Sequence, residues 1–397
     1  AVGVTARRLY HWLAFYSFFM DSARTQDQQR FFSSLSRQLT HLRRLMPRQQ
    51  MGLEGLLMAR TMLAAVPALG LGGAVLSQAV TMMSGCAVHV LNNDGGVATR
   101  SPTDQALILR LLVDCRRLLK QQRRDVPEEL EGWITNTAKA LRFLRHADRG
   151  LGVFNGGQEG GPAMLDHIMR QSGVNIRKIP GQLPDTGYMR VEAGKLSVLF
   201  DAGYHDARAG HAGLLSFEMV DKNDRLIVNC GHHPMQPHWA PYMAMTAAHS
   251  TIGLDDCSHG HAACVDQALR KISEGQMMQA SHTGYTGCRI IRKLFVQKQG
   301  QDVRGEDQIE TGDTSHRATI RFHIHPDVGV LKQQGVITLR AKGGAGWRVT
   351  CDGADMTLEE SLYLGLGAQR RSSQQIVLTA PCDAGMPKQV NWAICRL

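Results

Sequence analysis

The spacing of apolar residues changes once along this chain, near residue 180, and that change limits the fold more than any other feature. Before it the period is helical. Leu35, Leu39, Leu42 and Leu45 recur at steps of three and four, interleaved with Arg37, Arg43 and Arg44, so the leucines share one face of a helix. Residues 53–80 predict a helix pair broken at Gly70, Gly72 and Gly73. Residues 107–119 repeat the pattern with Asp114, Arg116 and Arg117 outward. Pro127, Glu128 and Glu129 predict another helix start: proline fits a first turn, and acids suit the positive end of the helix dipole. Several antiparallel helices with short loops imply a bundle or a helical barrel.

After Pro180 the period becomes two. Residues 188–201, 214–218, 226–229, 290–296, 318–325, 336–341, 347–351 and 375–379 are short runs bounded by Gly, Asp or Asn. Such runs read as strands of a sandwich. Helices first and strands second define an α+β chain with separate layers. The boundary is expected at 175–185, giving a helical domain over 1–180 and a strand domain over 181–397.

A length of 397 residues favours two domains or one very large one. The formal net charge of +10 raises the local concentration of polyanions. Charge alone leaves nucleic acid, anionic lipid, acidic polysaccharide and a plain solubility role open. No zinc finger, RNA-binding aromatic motif or phosphate loop is present, which argues against nucleic acid. The nine cysteines are odd in number and show no C-x-x-C spacing. They predict buried, reduced thiols rather than a disulfide framework. No membrane span is expected, because no run of 18 uncharged apolar residues is found. Arg7 and Arg8 before an aromatic run weakly imitate a signal peptide, but no small-residue cleavage site follows. The chain does not begin with Met and reads as a processed or partial form; its compartment, periplasm or cytoplasm, is left open.

Two arginine-rich stripes, Arg37, Arg43, Arg44 and Arg48, and Arg116, Arg117, Lys120, Arg123 and Arg124, suit either an anion groove or solvated helix faces. The glycine-rich stretch from Asn155 to Gly161 lacks the lysine and helix context of a phosphate cradle and reads as a loop. Of 17 histidines, 12 fall after residue 200, among them His205, His211, His232, His233, His249, His259, His261 and His282. Histidine titrates near neutrality and serves as acid, base or ligand, although a lone one is usually structural.

The strand half carries six motifs in order. Gly210-His211-Ala212-Gly213-Leu214-Leu215-Ser216-Phe217-Glu218 comes first, then Leu226-Ile227-Val228-Asn229-Cys230-Gly231 and Thr246-Ala247-Ala248-His249-Ser250-Thr251-Ile252. His282-Thr283-Gly284-Tyr285, Arg304-Gly305-Glu306-Asp307 and Leu358-Glu359-Glu360-Ser361-Leu362-Tyr363-Leu364-Gly365 follow. This set resembles the β-sandwich of the heparinase II/III-like polysaccharide lyases of bacteria. In the helical half, the stretch from Asp94 to Asp104 resembles the family's D-G-G-x-x-E-R-S-P-x-Y segment, and that from Asp148 to Gly156 its next loop. The resemblance implies an incomplete (α/α) toroid, truncated at its start, followed by an antiparallel sandwich.

It also implies chemistry. A lyase of this kind cleaves uronate-containing polysaccharide by β-elimination: it neutralises the carboxylate, removes the C5 proton and protonates the leaving oxygen. On the family's pattern His211, Tyr285 and Asp104 are the catalytic candidates, with Arg100, Asn155 and His282 binding substrate. Arg100 suits a bidentate grip on a carboxylate. A packed aromatic for Tyr285 and a loop turn for Asn155 are the plainer alternatives. The resemblance further places a structural zinc on His211, Asn229 and His249. Three departures stand out: Asp104 replaces the family's Tyr, Thr99 its Glu, and Asn229 its zinc-binding Asp. An amide is a poorer zinc ligand than a carboxylate. Three functions therefore compete: an active lyase with a rearranged site, a degenerate relative that binds acidic glycan, and an assembly protein without a glycan site.

Overall fold

The computed structural model describes residues 2–46, 52–206, 208 and 210–397. Arg48 of the first basic stripe lies outside the described residues. The chain forms two compact units. One comprises Ala1–Ala98, Ala106–Ala138 and Ile168–Val174, the other Thr99–Gln105, Lys139–His167 and Asn175–Leu397.

The first unit is helical. Its helices include Val2–Ala14, Tyr16–Met20, Thr25–Leu45, Leu53–Ala68 and Gly73–Val90, together with parts of Pro102–Gln121 and Glu128–Phe143. The leucine stripe of Thr25–Leu45 turns Leu35, Leu39 and Leu42 into the core, while Arg37, Arg43 and Arg44 are exposed. The glycine break at 70–73 separates two helices as the spacing implies. A buried cation, Arg60, is satisfied by Asp114 at 3.0 Å and lies 3.7 Å over the Tyr10 ring; a buried charge without such partners would be strongly destabilising. Arg116 of the second stripe is likewise engaged, by Glu131 at 2.9 Å and the Ser172 carbonyl. One described helix, Gly73–Val90, is long and apolar enough to cross a membrane by length and composition. A core helix passes the same test, and this single helix marks no clear membrane span. Its Val75, Ala79, Met82, Met83, Cys86 and Val90 are buried in the protein.

The second unit is built on two antiparallel sheets. The nine-stranded sheet runs from Gln182–Leu183 through Tyr188–Ala193, Leu196–Asp201, Phe217–Asp221, Asp224–Val228, His316–Ile324 and Arg371–Cys382 to Asp355–Tyr363, with Ile252–Leu254 added on His316–Ile324. The eight-stranded sheet runs Gly329–Gln333, Val336–Arg340, Gly346–Asp352, Lys388–Arg396, Asp302–Glu310, Arg289–Gln297, Gly275–His282, Val265–Ile272. Every pairing is antiparallel, such as Lys293 opposite Glu306 and Gly305 opposite Trp392. Strict alternation in Arg289–Gln297 buries Ile290, Arg292, Leu294 and Val296. Side chains of both sheets share one core, in which Phe217 stacks on Trp392 at 5.4 Å and Phe322 lies 4.7 Å from Trp392. Residues 188–201, expected as one strand, are two, because Gly194 takes a left-handed turn between them.

All nine cysteines are free. Cys86, Cys115, Cys230, Cys264, Cys288 and Cys382 are buried, as scattered thiols suggest, but Cys257 is exposed.

Candidate functional site

The sequence candidates gather in the second unit, including Arg100, Asp104 and Asn155 from the helical half of the chain. Long-range hydrogen bonds hold that part of the chain in place. Arg100 takes a left-handed backbone conformation. Its guanidinium donates to the Thr186 carbonyl at 2.8 Å, the Tyr204 carbonyl at 2.6 Å and the Asp201 carboxylate. The Tyr188 hydroxyl donates to the Arg100 carbonyl at 2.7 Å. Gly203 leaves no side chain where the guanidinium lies, and a Cβ there would overlap it. Arg100 is 1% exposed. This corrects the expected grip on a uronate: each guanidinium nitrogen is already engaged, and the residue ties Thr99–Gln105 to the sandwich instead.

Asn155 is also buried. Its amide donates to the Tyr188 hydroxyl at 2.7 Å and to Asp201 at 3.3 Å, while its Oδ1 has no partner. Asn155 and Gly156 both have positive φ, which makes the turn reversing this loop. The turn matters because His211 covers it: a Cβ on Gly156 would lie 2.9 Å from His211 Nε2. Asp104 is half-buried and accepts from Thr99 Oγ1 at 2.8 Å.

His211 is half-buried. Its Nδ1 hydrogen-bonds the Met243 carbonyl at 3.1 Å, so Nδ1 carries the proton and Nε2 keeps its lone pair. Burial, and next the His232 imidazole, push its pKa down to about 4. It is therefore a neutral base at neutral pH. The His249 ring lies 5.7 Å away and that of His232 6.5 Å. His249 is buried, with Nδ1 on the Met245 carbonyl at 2.8 Å, and burial holds its pKa well below the usual value.

The donor set does not fit the implied zinc. Asn229 Oδ1 accepts the Ser250 N–H at 2.9 Å, and its Nδ2 is buried without a partner. Among the described residues no three His, Cys, Asp or Glu side chains group as metal ligands. Asn229 is instead bound to Ser250, whose hydroxyl donates to the Val228 carbonyl at 2.6 Å, while the His211 and His249 rings are held on the Met243 and Met245 carbonyls.

Tyr285 and His282 correct the sequence expectation more sharply. Tyr285 is 9% exposed within the sandwich core, and its hydroxyl donates to the Cys257 carbonyl at 3.1 Å. Burial pushes its pKa up to about 12. His282 is 1% exposed; its Nδ1 accepts the Gly284 N–H at 3.0 Å, and burial pushes its pKa down to about 3. Neither is presented to a ligand. Both pack with His259, 5.0 Å from His282 and 6.2 Å from Tyr285. His205 links this group to the surface, at 5.0 Å from both His259 and His261.

Sequence reading missed Tyr188, Asp201 and Thr186, the partners that immobilise Arg100 and Asn155. Asp201 offered one signal: an acid closing a strand whose other five residues are uncharged. It also missed the polar network behind the loop. Glu218 is fully buried, receives the Val153 N–H at 2.9 Å and pairs with His146 at 2.9 Å. Burial pushes the Glu218 pKa up to about 7 and that of His146 down, so it disfavours the charged form of each.

Comparison with known proteins adds the family. The model of the heparinase II/III-like C-terminal domain matches residues 176–393, more than half of the chain. FtsZ-localized protein C of Caulobacter vibrioides is 26% identical over 338 residues, 76% of this chain. The chain spans 58% of the length of that relative. Among solved structures, heparinase III superposes with a TM-score of 0.84 at 11% identity, covering 100% of this chain and 69% of its own. The heparan sulfate lyase HepC of Pedobacter heparinus gives 0.75 at 12%, covering 100% and 68%. A chondroitin AC lyase of Streptomyces coelicolor gives 0.54 at 10%, covering 100% and 74%. At these identities the likeness is one of fold.

Proposed function

The chain belongs to the heparinase II/III-like family, and from that membership we propose that it is a lyase-fold protein that holds an acidic, uronate-containing polysaccharide without cleaving it. We also propose that residues 1–180 form an incomplete (α/α) toroid and 181–397 the sandwich domain. The observation that carries the reading is the engagement of the groups elimination would need. Carboxylate neutralisation would fall to Arg100, whose guanidinium is locked on Asp201 and two carbonyls. Proton delivery would fall to Tyr285, whose hydroxyl is held on Cys257 inside the core. A bound sugar acid would meet His211, half-exposed with a free Nε2 beside Gly156, and Asp104, a poor partner for an anion. A neutral imidazole orients a hydroxyl or accepts a proton, but one base does not complete an elimination. The net charge of +10 supports capture of a polyanion.

Binding of size-fractionated heparan sulfate and polygalacturonate by calorimetry tests this. At low salt the protein is expected to bind at least one of them. His211→Ala is expected to weaken that binding about tenfold, a loss of about 1.4 kcal/mol. Absence of binding across a broad panel of acidic polysaccharides would overturn the reading.

Retained β-elimination on a rearranged site is the second reading, supported by the neutral His211 base and by the lyase names of the structural relatives. The relative whose name refers to FtsZ, rather than to a glycan, supports loss of catalysis.

A further inference from the structure

We propose, resting on the glycan-binding reading above, that the segment from Gly231 to Met245 is a sugar-binding platform. Tyr242 stacks on the face of a sugar ring, and Arg370, held over Trp239, pairs with the sugar's acid group.

The segment exposes apolar surface that folding does not use. Tyr242 is 59% exposed and Met235 74%, with Met245 and Leu366 also at the surface. Exposed apolar side chains gathered within one short segment mark a contact surface. It is nonetheless held in shape. Pro237 starts the short 3-10 turn Pro237–Trp239, and Pro241 lies in the following helix, Ala240–Met243. Trp239 packs against a small core of Cys230, Met243, Ala248 and Leu364. Gln236 Nε2 donates to the Ala368 carbonyl at 3.2 Å, which joins the segment to the loop carrying Arg370. The Trp239 and Tyr242 rings are 6.0 Å apart with planes at 62°, and the Arg370 guanidinium lies 5.6 Å over Trp239. Rings fixed before a ligand arrives lose little entropy on binding.

Two observations choose the ligand class. The first is charge. No Asp or Glu occurs between Asp224 and Asp255, a stretch that holds His232, His233, His238 and His249. None occurs between Glu360 and Asp383, which holds Arg370 and Arg371. The two segments meet at the Gln236–Ala368 bond; Arg371 is paired there with Asp327, and Arg370 is the cation left for an anion. The second is position. The platform's helix ends on the candidate site itself: the Met243 carbonyl meets His211 Nδ1, and the Ala244 carbonyl accepts the Ala212 N–H at 2.8 Å. A sugar on Tyr242 therefore continues a chain that reaches His211. An anionic membrane would share the charge requirement. Met235 and Tyr242 project as membrane wedges would, but Trp239 is packed on one edge and carries the Arg370 guanidinium over its face, an arrangement that suits a sugar acid.

The test measures calorimetric affinity of the full chain for heparan sulfate and polygalacturonate hexasaccharides, and sedimentation with phosphatidylglycerol vesicles. Tyr242→Ala and Arg370→Ala are expected to weaken oligosaccharide binding about tenfold each, with an unchanged melting curve. Tyr242→Phe, which keeps the ring, is expected to restore nearly full affinity. If His211→Ala weakens binding while Tyr242→Ala and Arg370→Ala do not, the platform is wrong and the glycan-binding reading stands. If no oligosaccharide binds the wild type, the glycan-binding reading falls and takes the platform with it. Vesicle binding that Tyr242→Ala abolishes, with no oligosaccharide bound, overturns the sugar in favour of a lipid surface.

Discussion

Asp307→Ala is expected to destabilise the sandwich unit by about 3–5 kcal/mol, the range for removing one member of a buried ion pair. Arg292 and Asp307 are both fully buried, joined by two bonds of 2.6 and 2.7 Å. The remaining guanidinium nitrogen donates to the Leu215 carbonyl at 2.9 Å and the Ser250 carbonyl at 3.0 Å, and Trp392 Nε1 donates to Asp307 at 2.9 Å. Removing the carboxylate strands a cation among Phe217, Phe322 and Trp392 and leaves the indole N–H without its acceptor. The loss exceeds that of a cavity of the same size, because the guanidinium must find water or drive the core open. Urea unfolding followed by tryptophan fluorescence measures it. A midpoint within error of the wild type would show that the pair is dispensable. The double variant Arg292→Met, Asp307→Leu is expected to recover most of the loss, since apolar replacement of both partners removes the unpaired charge. The pair also supports the site: the Ser250 carbonyl it holds belongs to the residue whose N–H binds Asn229.

Acid is expected to unfold the same unit well above the usual carboxylate range. His259, His282 and His323 are buried and neutral. Burial first of all brings their pKa down from 6.5 to about 4, about 3 and about 4. His259 gives its Nδ1 proton to the Gly260 carbonyl and accepts the Leu214 N–H on Nε2, so protonation must break that second bond. Between pH 6.5 and about 4 the unfolded chain binds protons that the folded chain refuses, so stability falls as pH drops through that window. Each such group costs roughly 2 kcal/mol at pH 5. Glu218 acts in the opposite sense. Its pKa, up at about 7 when folded, makes it stabilising below about 4.5, with that stabilisation lost as pH rises to 7. One raised carboxyl offsets only part of three lowered imidazoles. Chemical denaturation at pH 7.5 and pH 5 is expected to show a large loss at pH 5. Equal stability at both would mean that these histidines are hydrated or paired when folded.

The helical and strand halves were legible because burial imposes a period: the leucines of Thr25–Leu45 and the alternation of Arg289–Gln297 each record one buried face. Several strands were not legible. Val265–Ile272 is mostly exposed and carries no apolar alternation, and its pairing with Gly275–His282 decides its form. The division into units was hidden too. Residues 99–105 and 139–167 lie within the helical half, yet Arg100 is bonded to Asp201, 101 residues on, and Glu159 to Tyr363, 204 residues on. No local pattern encodes partners at that distance. The residues the motifs single out fall in one unit, but the motifs do not say which way a side chain faces. Tyr285 and His282 look alike in the motif whether they meet a sugar or a core, and Arg100 reads as a free cation until Asp201 is placed beside it.

On the proposed function, this lyase fold keeps an acidic polysaccharide without cutting it. The most direct measurement is the ultraviolet absorbance of unsaturated uronate ends during prolonged incubation with a polysaccharide that calorimetry has shown to be bound. A flat trace is expected at saturating protein. A steady rise that His211→Ala abolishes would contradict it and establish an active elimination.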